Sequence, residues 1–370
     1  MASGILNFRS APGRLLSLDA LRGFDMFWIL GVDELINALR GAAPGPLTNF
    51  LAAQVTHSDW AGVTPYDLIF PLFVFIAGVT TVFSLEKILQ SGGRWAALRR
   101  VCLRAGLIYL LGILYYVSFL PWGEVRLLGV LQRIALCYLF TGLIYIAGRW
   151  RGLFLALPVL LLGYWALIAL VPVPGVGAGY TSEGLNLANY IDRHYLPLYK
   201  WDNDHDPEGL LSTLPAIGSC ILGALAGVLL KKDGLSPQRK VFWLLGAGLA
   251  CLLLGYAWGT QFPIIKKIWT SSYVLVAGGY SLLILALFYQ LVDIWGLLGW
   301  TRPFLWIGSN AILLYTAYTV LKFSEVGGSA AGLVFPVSPH AAAVLGSCLA
   351  ACASLLVAYL LYRRGWFLRL

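Results

Sequence analysis

Charged side chains are scarce in this sequence: Asp, Glu, Lys and Arg together make up only 12% of its 370 residues. Soluble domains carry roughly twice that fraction. Hydrophobic residues account for 59% of the chain, and the mean hydropathy is +0.78. The basic residues behind the net charge of +9 are scattered singly or in pairs between apolar runs. The sequence therefore predicts a protein embedded in a lipid bilayer and no nucleic-acid partner.

The sequence also lacks the motifs of several enzyme classes. It contains no Walker phosphate loop, no dinucleotide-binding glycine fingerprint, no HExxH pair and no GxSxG nucleophile motif. A nucleotide-driven pump or a common type of hydrolase therefore has no support. None of the six cysteines belongs to a CxxC pair, and all lie in apolar stretches. We predict neither a disulfide nor a metal site.

The sequence is rich in long apolar runs, in which charged residues are few. A helix needs about 20 apolar residues to cross a bilayer, and on that rule the chain, taken as a single domain over residues 1–370, has ten spans. The predicted spans are residues 16–38, 65–88, 98–120, 127–147, 152–172, 209–230, 239–258, 271–292, 303–323 and 341–362. The sequence thus predicts an all-α polytopic membrane protein.

The distribution of basic residues predicts the orientation. With a cytoplasmic N-terminus, 18 Lys and Arg residues fall in inside segments and 7 in outside segments, which agrees with the positive-inside rule. We therefore predict that both termini are cytoplasmic. The two long outside loops, residues 39–64 and 173–208, are then where a polar substrate is most easily recognised.

The most informative stretch runs from His57 to Gly78 and passes from a polar loop into an apolar helix. Thr64 and Pro65 open the helix, because proline at a first helical position loses no hydrogen bond that the helix needs. Asp67 has capping-box spacing from Thr64, which alone explains a carboxylate there. His57 can take a proton from an amine or hydroxyl near neutral pH, or it can simply bond a nearby carbonyl.

The first predicted span carries ionisable groups that lipid does not tolerate. Asp19 and Arg22 are three residues apart and can pair on one helical face. Asp33 lies eleven residues beyond Arg22, about 16 Å further along the helix and on nearly the same face. This spacing brings Asp33 toward the His57 loop, where it is either a functional group or a solvated acid.

Two further charged residues allow both a structural and a functional interpretation. Arg133 lies about 9 Å inside its predicted span, so it either pairs with a carboxylate of the first or second span or contacts an anionic ligand. Glu208 precedes the sixth span, where the dipole of a helix N-terminus alone explains a carboxylate.

Five stretches, taken together, resemble the membrane domain of the heparan-α-glucosaminide N-acetyltransferase family and its bacterial relatives. They occur in the family's order and extend over nearly the whole chain. The stretches are Leu16 to Gly23, His57 to Gly78, Val125 to Arg133, Asp206 to Leu214 and Trp269 to Tyr273.

The resemblance implies a transmembrane transfer of acetyl from cytosolic acetyl-CoA to the amine of a glucosamine-type sugar on the far side of the membrane. It matches the family's active histidine to His57 and the neighbouring acid to Asp67. His57 is then either the base or the carrier of the acetyl group. The family's asparagine near the outer end of the first span falls at Asp33, so an amide is replaced by a carboxylate.

The resemblance also guides the assignment of ligand contacts. We assign contacts with the sugar to Asp33, Glu208 and Ser271. For the CoA phosphates we consider basic residues, which form charge-assisted hydrogen bonds, although the positive-inside rule explains those near the inner face equally well. The candidates for the CoA phosphates are Arg99, Arg100, Arg104 and Arg133, with Arg149 and Arg151 as further basic residues at the inner face.

Other functions stay open at this point. One alternative is O-acylation of an envelope glycan, and another is transport of amino sugars or sugar acids. Transport is less well supported, because the sequence shows no internal repeat and no matched pair of broken helices. The resemblance suggests a homodimer, and we expect a multi-pass protein of a bacterial inner membrane.

Overall fold

The protein is all-α in the computed structural model, which describes residues 15–118, 120–121, 124–334 and 338–368. Arg9, Arg14 and Arg369, which contributed to the predicted orientation, lie outside these residues. The described chain contains fourteen α-helices. They are α1 (Leu16–Phe27), α2 (Asp33–Ala42), α3 (Pro46–Gln54), α4 (Ile69–Ser91), α5 (Gly93–Val117), α6 (Val130–Leu170), α7 (Leu187–Tyr195), α8 (Thr213–Lys231), α9 (Pro237–Gly259), α10 (Ser271–Phe288), α11 (Arg302–Gly308), α12 (Ala311–Val320), α13 (Phe323–Val334) and α14 (Pro339–Arg363).

Seven helical segments of the described chain are long and apolar enough to cross a membrane, so the protein is a polytopic membrane protein. They coincide with the predicted spans except in α6, where one helix of 41 residues replaces two. A straight helix of that length would extend about 62 Å, about twice the bilayer core. Arg149, however, has a φ of 53° and a ψ of −147°, and it breaks α6.

The break at Arg149 makes α6 a hairpin of two spans. Near its start, Arg133 contacts the carbonyl of Gly209. Near its end, the Tyr164 hydroxyl donates to the carbonyl of Ile268, close to the same side of the bundle. At the break, the guanidinium of Arg149 pairs with the carboxylate of Glu86, near the end of α4. The two predicted spans, 127–147 and 152–172, are therefore both present, joined by a sharp turn.

Two other predicted spans are interrupted. The first breaks between α1 and α2, where a π-helical segment, Trp28–Val32, contains Gly31 at a φ of 98°. The ninth, predicted as one helix over residues 303–323, is divided into α11 and α12. Near the start of the first span, Asp19 and Arg22 form the predicted ion pair, at 3.5 Å.

The centre of the bundle depends on close contact between α4 and α8. A Cβ on Gly78 would come within 1.9 Å of the Cys220 carbonyl oxygen, and one on Gly223 within 1.9 Å of the Phe75 carbonyl oxygen. Only glycine permits this approach of two backbones, which small residues favour in membrane helices. The contact fixes α4, whose first residues follow directly on the polar stretch around His57.

Short helices and loops cover the end of the bundle at which α4 begins, which we call the His57 end. Helix α3 lies within the predicted loop 39–64, and α7 within the predicted loop 173–208. The segment between α9 and α10 reaches the same end, where Gly62 donates its backbone N–H to the carbonyl of Ile264 at 2.8 Å. The other end of α4 lies at the opposite end of the bundle.

Candidate active site

The beginning of α4 holds a fully buried carboxylate. A 3₁₀ turn, Pro65–Leu68, precedes the α-helix, and the predicted capping box between Thr64 and Asp67 is present. One carboxylate oxygen of Asp67, Oδ2, accepts the backbone N–H and the hydroxyl of Thr64 at 3.0 and 3.1 Å. The same oxygen accepts the backbone N–H and the hydroxyl of Ser58 at 3.2 and 2.9 Å. Asp67 therefore fixes the His57 loop to the helix that follows it.

The other oxygen of Asp67 faces His57. Asp67 Oδ1 lies 2.8 Å from His57 Nδ1, and the side chain of Asp67 is 0% exposed whereas that of His57 is 54% exposed. A carboxylate accepts and does not donate, so this contact favours the tautomer with the ring proton on Nδ1 and the lone pair on Nε2. The arrangement orients an accessible imidazole as a base or a nucleophile.

A lysine that the sequence analysis did not identify completes this cluster. Lys266 Nζ lies 3.2 Å from Asp67 Oδ1, 2.9 Å from His57 Nδ1 and 3.3 Å from His57 Nε2. Burial lowers the pKa of Lys266 below its ordinary value, and the nearby Asp67 carboxylate opposes that shift. The site therefore contains an imidazole, a carboxylate and an amine within hydrogen-bonding distance of one another.

A strained turn positions Lys266. Trp269 is fully buried and has a φ of 51°, which is costly for a bulky residue. Its backbone N–H donates to the Lys266 carbonyl at 2.9 Å, and its indole N–H donates to Ser219 at 3.1 Å. Trp269 and Tyr273, the end residues of the fifth stretch of the family resemblance, are both buried.

Asp33 and Tyr66 form a second polar pair beside His57. The Tyr66 hydroxyl donates to Asp33 Oδ2 at 2.6 Å, and the Tyr66 ring centroid is 4.8 Å from that of His57. Asp33 Oδ1 is buried and has no hydrogen-bond partner among the described residues. Asp33 thus approaches the His57 loop as its spacing predicts, with one oxygen left to accept a further donor.

A cavity of about 250 Å³ opens between His57, Tyr66, Lys266 and the helices α1, α4, α6 and α12. Asp33 lies behind Tyr66 and is not among the residues that line it. The polar side chains of the cavity include His57, Tyr66, Glu208 and Lys266, and its other walls are mainly apolar. A largely apolar cavity with a few convergent polar groups is the usual form of a small-molecule site. This cavity is the candidate active site.

Glu208 belongs to a buried ion-pair network on the cavity wall. Arg126 donates to both oxygens of Asp206, at 2.6 and 2.9 Å, and to Glu208 at 2.5 Å. Asp192 accepts the backbone N–H of Leu210 at 2.8 Å. Glu208 lies five residues before α8 begins at Thr213, and its ion-pair partner is Arg126, which the helix-dipole interpretation did not include.

Arg133 is fully buried next to this network, but it does not pair with a carboxylate of the first or second span. Its guanidinium donates to the Ser212 hydroxyl at 2.5 Å and lies 4.9 Å from the centroid of Trp269. Two of its nitrogens, Nε and Nη1, have no partner in the described part of the chain. The predicted ion pair between Arg133 and a carboxylate of the first or second span is therefore wrong.

The remaining predicted ligand contacts lie away from this cavity. Ser271 is fully buried at the start of α10 and donates to the carbonyl of Leu161 at 2.7 Å. Arg99 and Arg100 are exposed near the start of α5. Arg104 lies further along α5, with its guanidinium 4.8 Å from the ring centroid of Tyr138. The structure does not bring these four residues to the lining of the active-site cavity.

A second cavity, of about 670 Å³, lies at the opposite end of the bundle. Arg149, Lys231 and Lys232 bring positive charge to it, and Glu86 and Asp233 bring negative charge. We call it the opposite-end cavity. Of the basic residues considered for CoA in the sequence, Arg149 lies here.

Comparison with known proteins gives two related curated sequences, whereas no protein-family model matches. The chain is 30% identical to the heparan-alpha-glucosaminide N-acetyltransferase of Homo sapiens over 84% of its own length and 53% of that protein. It is 29% identical to the enzyme of the same name from Mus musculus, over 85% of its own length and 54% of that protein. The chain thus spans about half the length of these relatives.

Proposed function

We propose that this chain is a transmembrane acetyltransferase, because it is a family-level relative of the heparan-alpha-glucosaminide N-acetyltransferases. Its donor is acetyl-CoA, and its acceptor is the amine of a glucosamine-type sugar. The observation that carries the proposal is the contact of the accessible His57 with the buried Asp67 in the wall of a cavity. We place the sugar on the periplasmic side of a bacterial inner membrane.

Asp33 and Tyr66 bind the acceptor in this proposal. The free oxygen of Asp33 accepts a hydrogen bond from the sugar's ammonium group, and Tyr66 holds the other oxygen. An ammonium group must lose a proton before it can attack a carbonyl carbon. Nε2 of His57 is the base for this step, because Asp67 orients the ring through Nδ1 and stabilises the imidazolium that forms.

The free amine then attacks the carbonyl carbon of the thioester. The new C–N bond forms as the C–S bond breaks, and the imidazolium returns its proton to the departing CoA thiolate. The nitrogen that attacked then gives up its surplus proton to solvent through His57. The products are the N-acetylated sugar, CoA and one proton, and His57 is regenerated. In a second route Nε2 attacks the thioester itself and carries the acetyl group to the amine.

The first part of α6 offers a route for the donor between the two cavities. Ile134 lines the active-site cavity and Tyr145 lines the opposite-end cavity, and their spacing of eleven residues, about three helical turns, puts both on one face. Between them on that face, the buried hydroxyl of Tyr138 has no hydrogen-bond partner among the described residues. Tyr138 is thus available to bond a pantetheine amide.

The basic residues of the opposite-end cavity would then contact the CoA phosphates, with Arg149 and Lys231 on either side. Tyr138→Phe tests this route. It removes the one hydroxyl but keeps the ring, so we expect a KM for acetyl-CoA about tenfold higher with a smaller change in kcat. Tyr256→Phe is the matched control, because that hydroxyl contacts the hydroxyl of Tyr280 on an exposed part of the helix surface.

The decisive experiment follows label from radioactive acetyl-CoA to glucosamine with detergent-purified protein. We expect His57→Ala to abolish transfer while acetyl-CoA still binds. His194→Ala is the matched control, since His194 is exposed and contacts the Tyr190 carbonyl. Transfer at the wild-type rate by His57→Ala would remove His57 from the mechanism. Absence of transfer by the wild-type protein would overturn glucosamine as the acceptor.

Product chemistry separates the remaining enzymatic alternatives. An acetyl group on nitrogen resists hydroxylamine, whereas an O-acetyl ester is cleaved, so hydroxylamine treatment distinguishes N- from O-acylation. Incubation with acetyl-CoA alone distinguishes the two routes of transfer. Label retained on the protein and lost in His57→Ala supports the acetyl-histidine, and its absence in a rapid quench supports direct transfer.

A further inference from the structure

A second cluster of ionisable groups lies in the loops of the His57 end, apart from the candidate active site. Glu183, Asp202 and His205 each offer one ligand atom, and these atoms all lie within 4.8 Å of one another. His205 Nε2 is 3.6 Å from Glu183 Oε1 and 3.7 Å from Asp202 Oδ2. Two acids alone are ordinary in a polar loop, so the assignment of this cluster as a ligand site depends on the histidine.

His205 is oriented as a metal-ligating histidine would be. Its side chain is only 6% exposed, and its Nδ1 lies 2.6 Å from Asp204 Oδ1. Because the carboxylate accepts the Nδ1 proton, Nε2 carries the lone pair. Nε2 is buried, has no hydrogen-bond partner among the described residues, and points at two carboxylate oxygens. Histidine ligands in metal sites typically donate the proton of their other ring nitrogen to a carboxylate, as Nδ1 of His205 does to Asp204.

A lysine supplies the positive charge at this cluster in the structure. Lys267 Nζ lies 3.1 Å from Glu183 Oε1 and 3.1 Å from Asp202 Oδ2. Its ammonium group compensates the charge of the two acids but forms no hydrogen bond with His205 Nε2 in the described part of the chain. The lysine side chain is 31% exposed, so it can leave toward solvent without passing through the protein.

We propose that Glu183, Asp202 and His205 form a Zn²⁺ site and that Lys267 occupies its place when the metal is absent. One imidazole nitrogen and two carboxylate oxygens form a donor set that zinc accepts, with water as a fourth ligand. Metal–ligand bonds of about 2.0–2.1 Å place tetrahedral ligand atoms about 3.4 Å apart. The observed separations from Nε2 are therefore close to those a bound ion requires.

The sequence carries no signal for this site, because its ligands belong to no cysteine pair and to no short ligand motif. Glu183 lies 19 residues before Asp202, and Asp202 and His205 alone are an unremarkable pair in a polar loop. The site becomes visible only when α7 and its flanking loops fold together. It also adjoins the active site along the chain, since Lys267 follows Lys266.

Zinc binding to the purified full-length chain tests the proposal, with Zn²⁺ titrated against a chromophoric chelator and without acetyl-CoA. We expect one high-affinity equivalent that His205→Ala weakens at least tenfold. His194→Ala, which removes an exposed histidine of α7, leaves this equivalent unchanged. Because no acetyl transfer is measured, the result is independent of the proposed function.

Lys267→Met supplies a test that removes no ligand. This variant keeps the length of the side chain but not its positive charge, so Zn²⁺ no longer competes with an ammonium group and binds about tenfold more tightly. Equal zinc affinity in the wild-type protein and a monodisperse His205→Ala variant would overturn the proposal. A zinc equivalent lost in His57→Ala and retained in His205→Ala would also overturn it, since it would assign the ion to the active site.

Discussion

Asp67 shows how a single carboxylate serves both the fold and the candidate chemistry. Oδ2 accepts four donors from Ser58 and Thr64, and Oδ1 faces His57 and Lys266. The capping-box spacing and the polar loop predicted the first role, and the resemblance predicted the pairing with histidine. Lys266 could not be predicted, because it lies 209 residues from His57 and the folded structure alone brings the two together.

Lys266 predicts a pH dependence of the reaction. Its pKa is below the ordinary value of 10.5, so its ammonium group is lost at a lower alkaline pH than that of a free lysine. The contact with Asp67 weakens as the pH rises through that range. Lys266→Met, which lacks the charge at every pH, should lower kcat/KM about 10- to 100-fold near neutral pH, since hydrogen bonds to charged groups are worth about 1.5–3 kcal/mol.

Lys266→Arg keeps the positive charge at this position but changes the shape of the side chain. Arginine stays protonated across the range, so the alkaline fall in kcat/KM should move to higher pH even if the rate is lower. Rate profiles from pH 6 to pH 10 measure this shift. Lys322→Met is the control, because Lys322 is exposed and contacts Glu325. An alkaline limb identical in the wild-type protein and Lys266→Arg would exclude Lys266 as its origin.

Asp192 predicts a pH dependence of stability. Burial raises its pKa to about 6 from 3.8, although two backbone N–H groups oppose the shift. The folded state therefore holds a proton that the unfolded state has released between these values. The free energy of unfolding falls as the pH rises through this window, by about 3 kcal/mol in all at 1.36 kcal/mol per unit.

Thermal unfolding in detergent between pH 3.5 and pH 7 measures the contribution of Asp192. Asp192→Asn has no such titration, so the fall in Tm across the window should be shallower than in the wild-type protein. Asp233→Asn, at an exposed position, should keep the wild-type slope. The comparison is of slopes, because the amide also loses an acceptor for backbone N–H groups. Parallel curves for the wild-type protein and Asp192→Asn would contradict the prediction.

At the scale of elements, hydropathy predicted the positions of the helices but not their interruptions. The predicted boundaries of α9 and α10 agree with the structure within a few residues because long apolar runs leave few alternatives in a bilayer. The π-helical segment before α2 and the division between α11 and α12 were missed. The first lies in the short apolar run between Asp25 and Asp33, and the second at Ser309 and Asn310. An isolated glycine, serine or asparagine does not by itself mark a break.

The contact between α4 and α8 predicts which glycines cannot be replaced. Gly223→Ala puts a Cβ within 1.9 Å of the Phe75 carbonyl oxygen, so the helices must separate, at a cost of about 1–3 kcal/mol or more. We expect a lower Tm in detergent and lower acetyl transfer, since the 3₁₀ turn that carries Asp67 leads directly into α4. Gly246→Ala in α9 is the control, because its Cβ meets nothing within 4 Å, and its Tm should not fall. Equal Tm values for the two variants would contradict this account of the packing.

At the scale of the whole molecule, the two cavities lie at opposite ends of the bundle. The candidate active site lies at the His57 end, whereas the opposite-end cavity contains Arg149, Lys231 and Lys232, which the positive-inside rule assigns to the cytoplasm. The transfer we propose therefore has its donor and its acceptor at different ends of one bundle. The distribution of basic residues predicted this orientation. The cavities arise from packing and could not be predicted from the sequence.

Cysteine labelling tests the orientation. In a cysteine-free background, Ser182→Cys at the His57 end should react with a membrane-impermeant maleimide added to intact bacterial cells. Gln238→Cys, near the start of α9, should react only after permeabilisation. Both positions are exposed, so a difference reports the side of the membrane. The reverse pattern would invert the predicted topology and with it the proposed direction of acetyl transfer.

The sharp turn of α6 has a consequence for how the protein is made. Its two arms meet at Arg149 without a loop, so there is no linker that could cross or wait outside the bilayer while one arm enters alone. We therefore expect the two arms to enter the bilayer together, as a hairpin. Arginines at the turn hold it at the surface, because they are too costly to bury. Insertion of this region then depends on the turn at Arg149, which is synthesised after the His57 loop and before the loop that carries Lys266.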